Sequence, residues 1–242
     1  MVLSESIGWE NDTTHQVAAV PPPPEVKAGR QRTRKLPDEV SDDLQTMLGS
    51  RRGGRVATGL VEAAKAFERD RFSEALRVLR PLIEEAPDSA AVRELYGIAL
   101  YREGKWAEAV KHLTAFADLT GSVEQHPVLA DAHRALKHYR EVATLWDELA
   151  ASSPAAHLVA EGRIVMAGAL ADQGKLLDAI ALVERGSIDT KKPKDHHLRL
   201  WYCLADLYER AGDMVRARDR FQRIMMVDRD YVNVTERLAN LG

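Results

Sequence analysis

The chain has 242 residues, 45% of them hydrophobic and 29% charged, with a formal net charge of −3 and an isoelectric point near 6.3. That is enough apolar material for one large packed domain or two small ones, and the near balance of charge removes whole-chain electrostatics as an argument for or against nucleic acid. The single cysteine, Cys203, excludes an intrachain disulfide and a Cys-based zinc or iron–sulfur centre, and fits a reducing, cytoplasmic setting.

Residues 1–36 are polar, contain Pro21-Pro22-Pro23-Pro24 and follow neither helical nor strand periodicity. They are expected to be a disordered, Pro-rich and basic arm, because such a stretch buries too little apolar surface to offset its ordering entropy. Glu5 and Glu10 deny the N-terminus the basic start of a secretory signal. The longest uncharged run, Ala150 to Ala160, is far shorter than the roughly 20 residues of a membrane span. The reading is therefore cytoplasmic, with no membrane partner. Lys27, Arg30, Arg32, Arg34 and Lys35 gather five cations within nine residues. A short helix is expected from Pro37-Asp38 to Gly49, and Ser50-Arg51-Arg52-Gly53-Gly54-Arg55 reads as a basic glycine linker that closes a segment 37–55.

From Val56 apolar residues recur at three- and four-residue spacing, interrupted by short Gly, Pro or Asp turns, and no alternating strand pattern occurs. Residues 56–242 are expected to form helices of about 12–17 residues joined by short turns, which suits antiparallel pairs. The turns are periodic. Phe72-Ser73-Glu74-Ala75 parallels Trp106-Ala107-Glu108-Ala109, 34 residues apart, and Val142, Ala179 and Ala217 continue the row at offsets of 33, 37 and 38. A period near 34 with a small residue at the helix crossing is that of a helix-turn-helix repeat.

On these residues the chain resembles the tetratricopeptide repeat family. The last unit fits best, with Trp201, Leu204, Ala205, Tyr208, Gly212, Ala217 and Phe221; the second offers Gly97, Leu100, Tyr101, Gly104, Trp106 and Ala109, with Arg93 where the family favours Trp. The third has His133 at the usual Tyr and Val142 at the usual Ala. The resemblance implies an all-α fold: an α-solenoid of about five degenerate helix pairs plus a C-terminal capping helix, on which Val232, Val234, Leu238 and Leu241 face inward and Glu236, Arg237 and Asn240 outward.

In this family the first helix of each pair lines the concave surface, which implies a groove formed by Ile98, Tyr101, Arg102, Asp131, Arg134, Arg199, Tyr202, Asp206 and Arg210. Mixed aromatic, aliphatic and Arg/Asp positions suit a peptide or helix. Leu60, Glu94, Pro127, Ile164 and Tyr202 stand where relatives that grip a peptide's C-terminal carboxylate place a Lys, so that specificity is not implied.

No phosphate loop, dinucleotide-binding glycine motif or nucleophile elbow is present. His126 and His133 are two helical turns apart, roughly 10 Å, too far to share a metal. No catalytic residues, cofactor or metal are expected, and the reading is not an enzyme. The leading functional expectation is a scaffold or adaptor that holds a protein or peptide partner in its groove. The alternative is an RNA- or ribosome-associated factor, with Lys27, Arg30, Arg32, Arg34, Lys35, Arg51, Arg52 and Arg55 as phosphate contacts. A third reading is self-association through an exposed end of the solenoid.

Overall fold

The computed structural model describes residues 36–152, 154–186 and 190–241, and these residues form twelve α-helices and no strand. Lys27, Arg30, Arg32, Arg34 and Lys35, and the expectation of disorder up to residue 35, lie outside the described residues. After α1 (Asp38–Leu48) the helices pair as five hairpins: α2 (Ser50–Phe67) with α3 (Phe72–Glu85), α4 (Ala90–Arg102) with α5 (Trp106–Thr120), α6 (His126–Ala135) with α7 (Tyr139–Ser152), α8 (Ala156–Asp172) with α9 (Leu176–Glu184), and α10 (Asp195–Arg210) with α11 (Met214–Val227). α12 (Val234–Asn240) closes the stack. The first helix of each hairpin packs on the first helix of the next, which makes a solenoid.

One turn design generates the hairpins. In each, the residue two before the second helix has positive φ: Asp70 (55°), Gly104 (71°), Lys137 (61°), Gly174 (77°) and Gly212 (79°). The next amide then reaches back five residues, as in Arg71 N–H to the Ala66 carbonyl (3.0 Å) and Lys105 N–H to the Leu100 carbonyl (2.9 Å), and the same bond recurs from His138, Lys175 and Asp213. This is the Schellman closure, in which a left-handed residue satisfies the last carbonyls of a helix. Below each turn the helices cross at Ala75, Ala109, Val142, Ala179 and Ala217, all with no exposed surface, so the row of small residues read from the sequence is the line of closest packing.

Two readings are corrected. Ser50–Arg55 is no linker but the first part of α2. Gly49, at φ 79°, makes the break instead, and Gly53 is buried because a Cβ there would stand 2.5 Å from the carbonyl oxygen of Leu44; its missing side chain lets α1 lie on α2. At the other end, Arg237 does not face outward. It donates to Asp206 Oδ1 (2.9 Å) and Glu209 Oε2 (2.6 Å), which fixes α12 to α10, while Val232 is left 53% exposed.

Candidate partner-binding surface

The polar residues along the expected groove form a ladder from each unit to the next. Arg102 donates to Asp70 (3.1 Å), Gln125 to Glu94 (2.8 Å) and the Tyr101 hydroxyl to Asp131 (2.6 Å). Arg134 grips Asp172 through Nε and Nη2 (2.7 and 3.3 Å), and Arg199 grips Glu161 through the same two nitrogens (2.5 and 2.7 Å). The Tyr202 hydroxyl donates to Asn233 (2.7 Å), and Arg237 completes the series at Asp206. Two-point guanidinium–carboxylate contacts are among the stronger polar interactions, and burial makes each depend on its partner being present. Burial, and then the charge of Asp131, raise the Tyr101 pKa above its ordinary value and keep the hydroxyl a donor.

The structure thus divides the groove expectation. Arg134, Arg199, Asp206 and Tyr202 are buried, and their polar groups are engaged within the chain. Ile98, Tyr101 and Asp131 are half-buried. Arg102 and Arg210 are the exposed members; Arg102 also stacks 4.2 Å over Phe72, and Arg210 lies 3.9 Å from Asp206. Arg51, Arg52 and Arg55 are exposed on α2, but Arg52 (3.1 Å) and Arg55 (3.0 Å) share Glu85, whose carboxyl the Arg52 hydrogen bond holds below its usual pKa.

Space for a ligand opens at the third unit. A cavity of about 650 Å³ is lined by Trp106, Asp131, Arg134, Ala135, Lys137, Tyr139, Ala171, Asp172 and Gly174. It combines the aromatic residues that open α5 and α7 with small residues at the ends of α6 and α8, and its charged members are the Asp131–Arg134–Asp172 group and Lys137. Trp106 is held edge-to-face on Tyr101, ring centroids 5.2 Å apart. Gly168 is needed here, since a Cβ would stand 2.5 Å from the Arg134 guanidinium carbon. Such a volume, with aromatic walls and a few fixed polar groups, is of the kind that accepts a side chain or small ligand. Asp131 and Arg134 were legible as site residues. Trp106 and Tyr139 were legible only as repeat markers, and Lys137 and Asp172 carried no signal.

Behind α6 a second cleft, about 440 Å³, separates α5 from α7 and is lined by His126, His133, Asp118, Arg140, Glu141 and Glu148 among others. His126 Nε2 lies 3.0 Å from Glu148 Oε2. Burial, followed by the neighbouring His138, lowers the His133 pKa. In the second unit Arg93, at the position expected for Trp, donates to the Pro87 carbonyl (2.6 Å) and lies 3.2 Å from His112 Nδ1, replacing an aromatic contact with a polar one.

The tetratricopeptide repeat family model matches residues 60–122, the first two hairpins. No curated protein matches the sequence. Among solved structures the chain is similar to TTC0263, a thermophilic TPR protein of Thermus thermophilus, at 14% identity and a TM-score of 0.57, over 77% of this chain and 98% of that one. It is also similar to a chain of the APC/C hetero-tetramer Cut9-Hcn1, at 16% identity and a TM-score of 0.61, over 84% of this chain but 39% of that one. At these identities the likeness concerns the fold. With the family match over residues 60–122 and the same turn and crossing residues continued through the remaining three hairpins, the chain carries tetratricopeptide repeats and has a tetratricopeptide-type solenoid fold.

Proposed function

We propose that this protein is a non-catalytic scaffold that holds a segment of a partner protein at its third unit, with an apolar or aromatic side chain of the partner seated in the cavity between Trp106 and Tyr139. The fold is one that generally mediates protein–protein interaction. The observation that carries the reading is the 650 Å³ cavity, because the rest of the concave side is largely closed by its own ladder. A preformed concavity flanked by two aromatic side chains offers a seat for the kind of anchor residue around which interface energy concentrates. Half-buried Ile98 and exposed Arg102 and Arg210 would extend the contact along the groove.

The test is crosslinking-assisted capture of partners by wild type, Trp106→Ala and Tyr139→Ala, with and without nuclease, after thermal melts show that the variants are folded. The expected result is one nuclease-resistant protein partner whose affinity falls at least about tenfold in each variant, the loss of an anchor worth roughly 1.4 kcal/mol or more. Undiminished capture by both folded variants would reject the cavity as the anchor. Capture that disappears with nuclease would instead favour the RNA- or ribosome-associated reading, with Arg51 and the more N-terminal cations as contacts.

A further inference from the structure

The third unit holds a second arrangement that partner binding does not use. His133, in the last turn of α6, and His138, the residue before α7, flank the left-handed Lys137. The His138 amide bonds the His133 carbonyl at 2.9 Å, so the backbone itself fixes the two residues side by side. Their imidazoles meet nitrogen to nitrogen, Nδ1 to Nδ1 at 3.2 Å, with ring centroids 5.5 Å apart and planes inclined by 48°. At that distance one Nδ1 carries a proton and the other accepts it.

Two imidazole nitrogens so placed can share a metal ion in the proton's stead. Zinc–nitrogen bonds of about 2.0–2.1 Å at a tetrahedral angle hold two ligand nitrogens roughly 3.3–3.4 Å apart, close to the separation already present. We propose that His133 and His138 form a two-imidazole site for a divalent transition cation, which closes the turn between α6 and α7. Neutral imidazoles favour Zn2+, Ni2+ or Cu2+ over Mg2+ or Ca2+. On binding, the shared proton moves from Nδ1 to Nε2 of its own ring, so both ligands remain neutral. Among the described residues no third His, Cys, Asp or Glu completes a protein-only set, and water fills the remaining positions. Glu141, one turn into α7 and lining the same cleft as His133, adds negative charge on that side.

The site would reach the partner-binding surface through four residues. Arg134, Ala135 and Lys137 line the 650 Å³ cavity within the stretch that the cation would clamp, and Tyr139, which also lines it, directly follows His138.

Calorimetric titration of the untagged full chain with ZnCl2, and separately NiCl2, tests this. Wild type, His138→Gln, His133→Gln and the double variant His196→Gln/His197→Gln are compared. The last pair, with rings 4.1 Å apart, controls for adventitious binding by adjacent histidines. His138 is exposed, so its variant is expected to fold even where His133→Gln does not. The expected result is one cation per chain, with affinity reduced at least about tenfold in His138→Gln, on the scale that even outer-shell partners of a metal show, and unchanged in the double variant. Slower hydrogen exchange in α6 and α7 with Zn2+ would accompany it. Binding that survives His138→Gln, vanishes in the double variant, or never saturates near one equivalent would overturn the site.

Discussion

Lys137 and Asp70 hold a left-handed conformation that costs a residue with a side chain about 1–2 kcal/mol and costs glycine almost nothing. Among the described residues Lys137 makes no ion pair, whereas Asp70 binds Arg102. Lys137→Gly is therefore expected to stabilise the chain by up to about 1 kcal/mol, partly offset by the freer unfolded chain, and Gly174→Ala to destabilise it by a similar amount; thermal melts would show both. Arg134 poses the opposite case. Its side chain and that of Asp172 are 9% and 10% exposed, so Arg134→Ala would strand a buried carboxylate, at about 3–5 kcal/mol. Arg134→Met combined with Asp172→Leu should recover most of that loss in urea denaturation, since it removes both charges together. His112 supplies a pH dependence. Burial, and then the charge of Arg93, depress its pKa from the ordinary 6.5 to about 4. Between those values the unfolded chain binds more protons than the folded one, so the stability tied to neutral His112 is complete above pH 6.5 and is lost as the pH falls toward 4. Urea midpoints measured from pH 7.5 to 4 should fall more steeply for wild type than for His112→Gln.

At the level of helices, α12 behaves as one more rung of the stack. Asn233 meets Tyr202, and Arg237 meets Asp206 and Glu209, in the register by which earlier units meet their neighbours. Arg237 also lies 5.1 Å over the ring of Phe221, so it anchors α12 to both helices of the fifth hairpin. Arg237→Ala should cost about 3 kcal/mol, because Asp206 is 94% buried by the same contacts, and hydrogen exchange should show α12 released while α4 and α5 are unchanged. The hairpins were legible in the sequence because apolar spacing and the glycines at 104, 174 and 212 mark them directly. The turn at Lys137 was weaker, since nothing about lysine announces a positive φ. Ser50–Arg55 misled because two adjacent glycines and three arginines suit a linker in composition; only the approach of Leu44 shows why Gly53 belongs inside a helix. The ladder was illegible as well. Arg134 and Asp172, or Glu161 and Arg199, lie 38 residues apart, and pairing them requires the local slippage of the repeat, which is known only once the turns are placed.

Across the described residues the apolar core falls into clusters of unequal size. One buried cluster runs from Leu44 to Ala109 and another from Ala160 to Val234, with only Ala130, Val142, Val165 and Ala169 forming a small cluster between them. The third hairpin fills that joint with the buried Leu129 and Leu149 together with the polar Arg134, Asp131 and His126. In a chain of repeats stability is a sum of local and nearest-neighbour contributions, so the unit with the smallest apolar cluster is expected to open first. Hydrogen exchange should find the lowest protection of the hairpins in α6 and α7, and denaturant unfolding monitored in the two halves should give separate midpoints rather than one. Both cavities lie at this joint.

The same ladder also has a mechanical meaning. Its bridges occur at every interface along a row, so a pull on the two ends of the solenoid loads the interfaces in series, as links share the tension in a chain. The interfaces on either side are backed by broad apolar clusters, whereas the third unit has a smaller one and leans also on Arg134 and Asp172. Compliance is therefore concentrated where the aromatic cavity lies. A segment seated between Trp106 and Tyr139 would then stiffen the whole rod, and its affinity would report how far the rod is bent.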